Sequence, residues 1–232
     1  MFTLPQSASD SCSEEPPIID VSESNDTLEK LLQFIYPVIP PPVHTLDELV
    51  DLLEAAYKYD LTVAIETLRK LLVEPRFVQM APTRVYAIAS RFELEEEAKI
   101  ASRYTLSVNV LDCPLSEDLK FISAFQYRRL LDLHRSRAKA AQELLQIPEH
   151  VKCMLCNGTH YGVFLQPRWW KDFEERAKEE LSVRPTTDVI FSMGFLAKAG
   201  KAGCERCSGS ILESYWFLEE LKKKIDELPS TI

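Results

Sequence analysis

Apolar positions in the first half of the chain recur with the spacing of amphipathic helices. Two stripes repeat at i, i+3, i+4 and i+7, which places their members on one face of a helix. The stripes consist of Leu46, Leu49, Val50, Leu53, Ala56 and Tyr57, and then of Leu61, Ala64, Ile65, Leu68, Leu71 and Leu72. Because each helix has only one apolar face to bury, the two are predicted to pack as a hairpin that breaks near Tyr59 and Asp60.

Capping and breaking signals extend this mainly α pattern along the chain. Residues 26–29 and 45–48 both have the form of a capping box, which predicts helix starts. Only residues 18–21, which are β-branched and bounded by prolines and serines, predict a strand. The remaining predicted helices cover residues 26–36, 82–92, 94–106, 125–146, 167–181 and 211–228.

Glycine divides the chain into two unequal parts. All six glycines follow residue 157, at positions 158, 162, 194, 200, 203 and 209. A segment without glycine suits helices joined by proline and by Asn/Asp-type breaks, because few of its turns can require a positive φ. The change predicts a boundary near residue 150, where the helical region gives way to a smaller helical module.

Composition and charge narrow the class of protein. Hydrophobic residues make up 46% and charged residues 27%, as in ordinary globular proteins, and the formal net charge is −9. The sequence contains no apolar run of about 20 residues and no secretory leader, so we expect an intracellular protein, cytoplasmic or nuclear, without a membrane partner. Nucleic acid is not the expected partner, because so acidic a chain repels phosphates unless it segregates a basic patch.

The first half of the chain resembles a known family. The runs TLEKLLQFIYPV, LLEAAYKYD and RVYAIASRF are similar to those of BTB/POZ-domain proteins abundant in basidiomycete fungi. The similarity covers residues 1–110, which implies a BTB/POZ-like domain there, a helical extension over residues 111–149 and a separate module over residues 150–232. The family implies an adaptor or scaffold that binds a protein partner and catalyses no reaction.

Two departures from the family pattern bear on the partners. Two or three strands and a helix normally precede a stretch like residues 1–6, so the resemblance implies a domain that lacks its N-terminal part. That part usually builds the homodimer interface, and the departure therefore weakens the expectation of a homodimer. Many members bind a cullin ubiquitin ligase through a hydrophobic-x-Glu motif, whereas residues 2–6 read FTLPQ, so a cullin partner is not expected.

The last third contains two matching cysteine pairs. Cys153 and Cys156, like Cys204 and Cys207, form the pattern C-x-x-C-x-G, with the glycine at 158 or 209. Two thiolates three positions apart on a tight turn can bind one tetrahedral ion, and two such turns complete a four-cysteine structural zinc site. The 47 residues between the pairs exceed the spacing of compact zinc fingers, but a helix can fill that loop. Nearby His150 and His160 are expected outside the ligand set.

Other interpretations of the cysteines and of the function stay open at this point. The thiols could be unreacted core residues or a redox dithiol, although no βαβ context accompanies them. No catalytic motif accompanies the four histidines, so no enzyme is predicted. The principal hypothesis is a non-catalytic interaction protein with structural zinc. The alternative is a zinc-dependent nucleic-acid-binding or transcription-linked factor, which requires a contiguous basic face around the cysteine pairs.

Overall fold

The computed structural model describes residues 18, 20–36, 38–39, 41–156, 159–160 and 163–232, with side chains omitted at 159–160 and 163–164. The segment 1–17 and Gly158 and Gly162 therefore lie outside the described residues, as does the side chain of His160. Within the described part, the predicted mainly α fold is confirmed. No helix there is both long enough and apolar enough to cross a bilayer.

Helices account for most of the described chain. They are α1 (Asn25–Ile35), α2 (Leu46–Lys58), α3 (Thr62–Leu72), α4 (Pro75–Val78), α5 (Pro82–Arg91), α6 (Glu95–Thr105), a 3-10 helix (Glu117–Phe121), α7 (Ala124–Glu143), α8 (Arg168–Val183), α9 (Thr187–Ile190), α10 (Met193–Ala202), α11 (Cys207–Glu213) and α12 (Tyr215–Asp226). Two strands, β1 (Thr159–His160) and β2 (Val163–Phe164), pair antiparallel between α7 and α8.

The predicted hairpin of α2 and α3 is confirmed, together with the signals that define it. Thr45 accepts a hydrogen bond from the Glu48 amide, and the Glu48 carboxylate accepts bonds from the amides of Thr45 and His44, which completes the capping box. The break falls at Asp60, whose φ of 55° lies in the left-handed region. The apolar stripes face each other, because α2 and α3 bury Leu49 and Leu53 against Leu68.

Four details of the predicted elements are wrong. Ile18, Asp20 and Val21 form no strand, and Ile18 is 95% exposed, since no strand among the described residues pairs with this segment. The first helix is capped by Ser24, whose hydroxyl accepts from the Thr27 amide, so α1 begins before the predicted box. The helix predicted over residues 125–146 ends at residue 143. The helix predicted over residues 211–228 is split at Ser214 into α11 and α12.

Two hydrophobic cores divide the helices, and α7 belongs to both. The first core gathers α1–α6 and reaches Leu130 in the first half of α7. The second gathers α8–α12 and includes Ala141 in the last turns of α7. The chain returns to the first core at its end, where Ile232 packs against it and donates its amide to the Ser102 hydroxyl at 3.2 Å. The predicted boundaries at residues 110 and 149 stay predictions.

Aromatic rings fill the centre of the second core. Trp169, Trp170 and Phe173 on α8 are all fully buried, and their rings contact one another. Phe191, Phe195 and Phe217 surround this group from the helices that follow. The adjacent tryptophans are therefore core residues of the part of the chain that contains the cysteine pairs.

Candidate metal centre

The four predicted cysteines converge in space. Their sulfur atoms all lie within 4.8 Å of one another. The Sγ–Sγ distances are 3.4 Å for Cys153 and Cys204, 3.5 Å for Cys156 and Cys207, 3.6 Å for Cys204 and Cys207, and 3.9 Å for Cys153 and Cys207. A tetrahedral ion with Zn–S bonds of about 2.3 Å requires edges of about 3.8 Å. The cluster therefore has the size that one tetrahedral ion needs, and it could hold a metal.

The two cysteine pairs lie on backbone segments of different structure. Cys153 and Cys156 lie on a turn after α7, and Arg168, at the first position of α8, donates its amide to Cys156 Sγ at 3.4 Å. Cys204 and Cys207 join α10 to α11, with the Cys207 amide donating to the Cys204 carbonyl at 2.9 Å. The Cys204 amide donates to Cys207 Sγ at 3.2 Å. Amide donors of this kind stabilise thiolates.

The crowded thiols have divergent acidities. At Cys204, burial acts to raise the pKa, but the backbone amide of Arg206 and the neighbouring thiols together lower the pKa to about 7. At Cys156, burial and then the neighbouring thiols raise the pKa to about 12, although the Arg168 amide acts to lower it. The surroundings thus favour the thiolate at Cys204 and the thiol at Cys156. A divalent cation replaces the thiol protons, because metal ligands must be thiolates.

Gly203 is a site residue that the cysteine pattern alone does not reveal. A Cβ atom on Gly203 would lie 2.3 Å from Cys207 Sγ and 2.6 Å from its Cβ. By contrast, Gly209 lies inside α11, and a Cβ there would meet nothing within 4 Å. The glycine that follows the second pair in the C-x-x-C-x-G pattern is therefore not required by close packing of the turn. The close contact with Cys207 occurs instead at Gly203, the residue before the second pair. Only the folded turn reveals this contact.

A buried hydrogen-bond chain joins the two cysteine pairs across the second core. Trp169 Nε1 on α8 donates to Ser210 Oγ on α11 at 3.0 Å, and Ser210 donates to the Lys152 carbonyl at 2.9 Å. Ser210 is only 3% exposed, and its bond with Trp169 is buried while its bond to Lys152 is partly buried. These two hydrogen bonds hold three elements in fixed relation around the sulfurs, namely the segment of the first cysteine pair, α8 and α11. No sequence motif marks Ser210 for this role.

The predicted outer histidine and several basic residues are exposed on the segments that carry or contact the cysteines. His150 is exposed, which agrees with its expected place outside the ligand set. In the segments 150–156, 165–171 and 198–207 the only acidic residue is Glu205. The same segments carry six exposed basic residues that form no ion pair within the described structure, namely Lys152, Arg168, Lys171, Lys198, Lys201 and Arg206. Such charges would balance the −2 charge of a four-thiolate zinc centre.

Comparisons with protein-family models, with curated proteins and with solved structures find no match to this chain. The likeness to BTB/POZ proteins, which rests on residues 1–110, accordingly stays a prediction.

Proposed function

We propose that Cys153, Cys156, Cys204 and Cys207 bind one structural Zn²⁺ ion. The observation that carries the proposal is the convergence of four sulfur atoms from two distant segments at separations suited to a tetrahedron. Four thiolates fill the coordination shell and leave no position for a water ligand, so the ion has a structural role. Its binding contributes about 10–16 kcal/mol in small zinc modules, enough to maintain the second core.

We infer that the whole chain is a non-catalytic interaction protein, an adaptor or scaffold. The support is the resemblance in residues 1–110 together with large apolar side chains on the surface of the second core. Met193, Leu212 and Trp216 are 77%, 72% and 80% exposed. Exposed apolar patches of this kind are typical of surfaces that bind other proteins.

Native mass spectrometry of the purified protein in reducing buffer tests the zinc site. We expect one zinc per chain, lost in Cys153→Ser and in Cys207→Ser. Cys113→Ser is the matched control, because Cys113 donates to the carbonyl of Val110, a residue of the first core, and does not belong to the cysteine cluster. A folded wild-type protein without metal would contradict the proposal and favour core cysteines or a redox pair.

The alternative function, zinc-dependent binding of nucleic acid, is favoured by the six exposed basic residues around the cluster. They meet part of the requirement for a basic face, although the net charge of −9 opposes a polyanion. Titration of a labelled single-stranded oligonucleotide at two salt concentrations separates the hypotheses. Binding that weakens steeply with salt and with Lys152→Gln and Arg206→Gln would favour the alternative. No binding at low salt would exclude it.

A further inference from the structure

An open groove runs beside the second cysteine pair, on the surface of the second core. Its volume is about 580 Å³, and it lies between α10 on one side and α11 with α12 on the other. The residues that define it include Met193, Leu196, Lys201, Leu212, Tyr215 and Glu219. Three of them are large apolar side chains left in solvent, since Met193, Leu212 and Tyr215 are 77%, 72% and 53% exposed.

The cysteine cluster determines how the groove's two walls meet. α10 ends at Ala202, two residues before Cys204, and α11 begins at Cys207, so the second cysteine pair is the joint between the walls. The joint is closely packed, because a Cβ on Gly200 would lie 2.8 Å from Ser208 Oγ and 3.3 Å from its Cα. An ion bound at the cysteines would therefore hold the groove at a fixed width.

The groove has opposite charges at its two ends. α10 runs toward the cysteine joint and α11 and α12 run away from it, so Lys201 lies at the joint and Glu219 lies at the far end. Both side chains are exposed, and neither forms an ion pair with any described residue. Lys198, one turn before Lys201, is also exposed and without an ion pair in that part of the chain.

We propose that this groove binds an amphipathic helix of a partner protein, with the helix's acidic end at Lys201 and its basic end at Glu219. Grooves between two helices accept the apolar face of a third, through side chains spaced i, i+3/i+4 and i+7. The apolar walls match that face, and the charge polarity sets the direction of the helix. The inference rests on the proposed function, since it names the partner surface of the interaction protein.

Fluorescence anisotropy with designed peptides tests the groove. The probe is an amphipathic helical peptide of about 14 residues, roughly 20 Å long, with leucines on one face, glutamates in the first turn and lysines in the last. Two control peptides carry serines in place of the leucines or the two charged ends exchanged. We expect the first peptide to bind at least tenfold more tightly than either control.

Matched variants locate the binding. Met193→Glu combined with Leu212→Glu should weaken the peptide at least tenfold. Met80→Glu combined with Leu115→Glu should change the affinity less than twofold, although these residues are similarly exposed, at 84% and 86%. Circular dichroism of both variants shows whether they fold. Lys201→Glu, which leaves both ends of the groove acidic, should abolish the preference between the peptides with normal and exchanged ends, and Lys201→Glu combined with Glu219→Lys should reverse it.

The outcomes separate this proposal from the zinc proposal, because metal content is measured on the same samples. Zinc-loaded protein that binds no peptide, or that loses it equally in both double variants, would overturn the groove and leave the zinc site standing. Metal-free protein that still binds the peptide through Met193 and Leu212 would support the groove while the zinc site fails. Light scattering measures self-association of the protein. If the wild type self-associates and Met193→Glu combined with Leu212→Glu abolishes this, the groove binds a second copy of the chain and the proposal is overturned.

Discussion

At the residue scale, Gly203 and Gly209 flank the second cysteine pair and offer opposite environments to an added methyl group. At Gly203 the methyl group would overlap Cys207, whereas at Gly209 it would point into open space. We predict that Gly203→Ala displaces Cys207, weakens zinc binding at least tenfold and destabilises the module by about 1–3 kcal/mol. Gly209→Ala should stabilise α11 by up to about 1 kcal/mol.

Competition with a chromophoric chelator and thermal unfolding measure the two glycine variants side by side. Because Gly203→Ala is expected to lower the stability and Gly209→Ala to raise it, each variant is the control of the other. Equal affinities for zinc in both variants would mean that the turn relaxes around the new methyl group, and that the close approach at Gly203 is not required.

His134 on α7 gives the stability of the fold a dependence on pH. Its Nε2 lies 3.1 Å from the Thr105 hydroxyl, and burial lowers the pKa of the imidazole from 6.5 to about 4. Between these values the unfolded chain binds a proton that the folded chain does not, so stability falls as the pH drops from about 7 toward 4. The loss between pH 7 and pH 5 is expected to be about 2 kcal/mol.

Urea unfolding of the wild type and of His134→Gln at both pH values tests this effect. Glutamine can keep a hydrogen bond to Thr105 but does not titrate, so the variant should lose about 2 kcal/mol less than the wild type over the same range. An identical loss in both proteins would assign the pH dependence to other groups.

At the element scale, a buried arginine on α7 caps the C-terminal end of α12. Arg137 is 6% exposed and donates to the Ile225 carbonyl at 2.9 Å, to the Pro229 carbonyl at 3.0 Å, and to the Leu228 carbonyl. It also donates to the Pro185 carbonyl, 2.8 Å away in the segment before α9. Ile225 lies in the last turn of α12, where carbonyls lack the amide four residues on, and its oxygen also accepts from the Leu228 amide at 3.2 Å. The carbonyls of Pro185, Leu228 and Pro229 lie outside the helices.

Replacement of this arginine should be costly. Arg137→Met removes the guanidinium donor from four carbonyls, two of them in buried hydrogen bonds, and we predict a loss of about 3–5 kcal/mol in the free energy of unfolding. Arg135→Met is the control, since Arg135 is exposed on the same helix, and its effect should stay within about 0.5 kcal/mol. Equal m-values in urea would show that the two variants differ in stability alone. A small loss of unfolding free energy in Arg137→Met would contradict the prediction and mean that water replaces the guanidinium.

At the scale of the whole molecule, the two cores share α7 and the C-terminal residues but only the second contains the cysteines. Removal of the proposed zinc ion by a chelator should therefore unfold the second core first. We expect amide hydrogen exchange to rise by at least a hundredfold in α8–α12 and to change by only a few-fold in α2–α6. Uniform exchange along the chain would show instead that α7 couples both cores into one cooperative unit.

Much of the secondary structure could be predicted from the chain, because its causes are local. The capping box at Thr45 and the stripes of α2 and α3 involve residues within about two turns of one another. The prediction failed where a neighbour distant in sequence decides the outcome. The segment at Ile18 resembles a strand, but no described strand lies beside it to accept its hydrogen bonds. Similarly, an apolar stripe continues past Ser214 although the helix breaks there.

The sequence by itself determined that the protein is mainly helical and which four cysteines could share an ion. Residue type and short-range spacing suffice for these properties. Only the tertiary structure decided that the sulfurs meet, that Gly203 and not Gly209 is crowded, and that a groove opens beside the joint between α10 and α11. Each of these depends on contacts between segments up to about fifty residues apart, which packing of the second core creates and which no local pattern records.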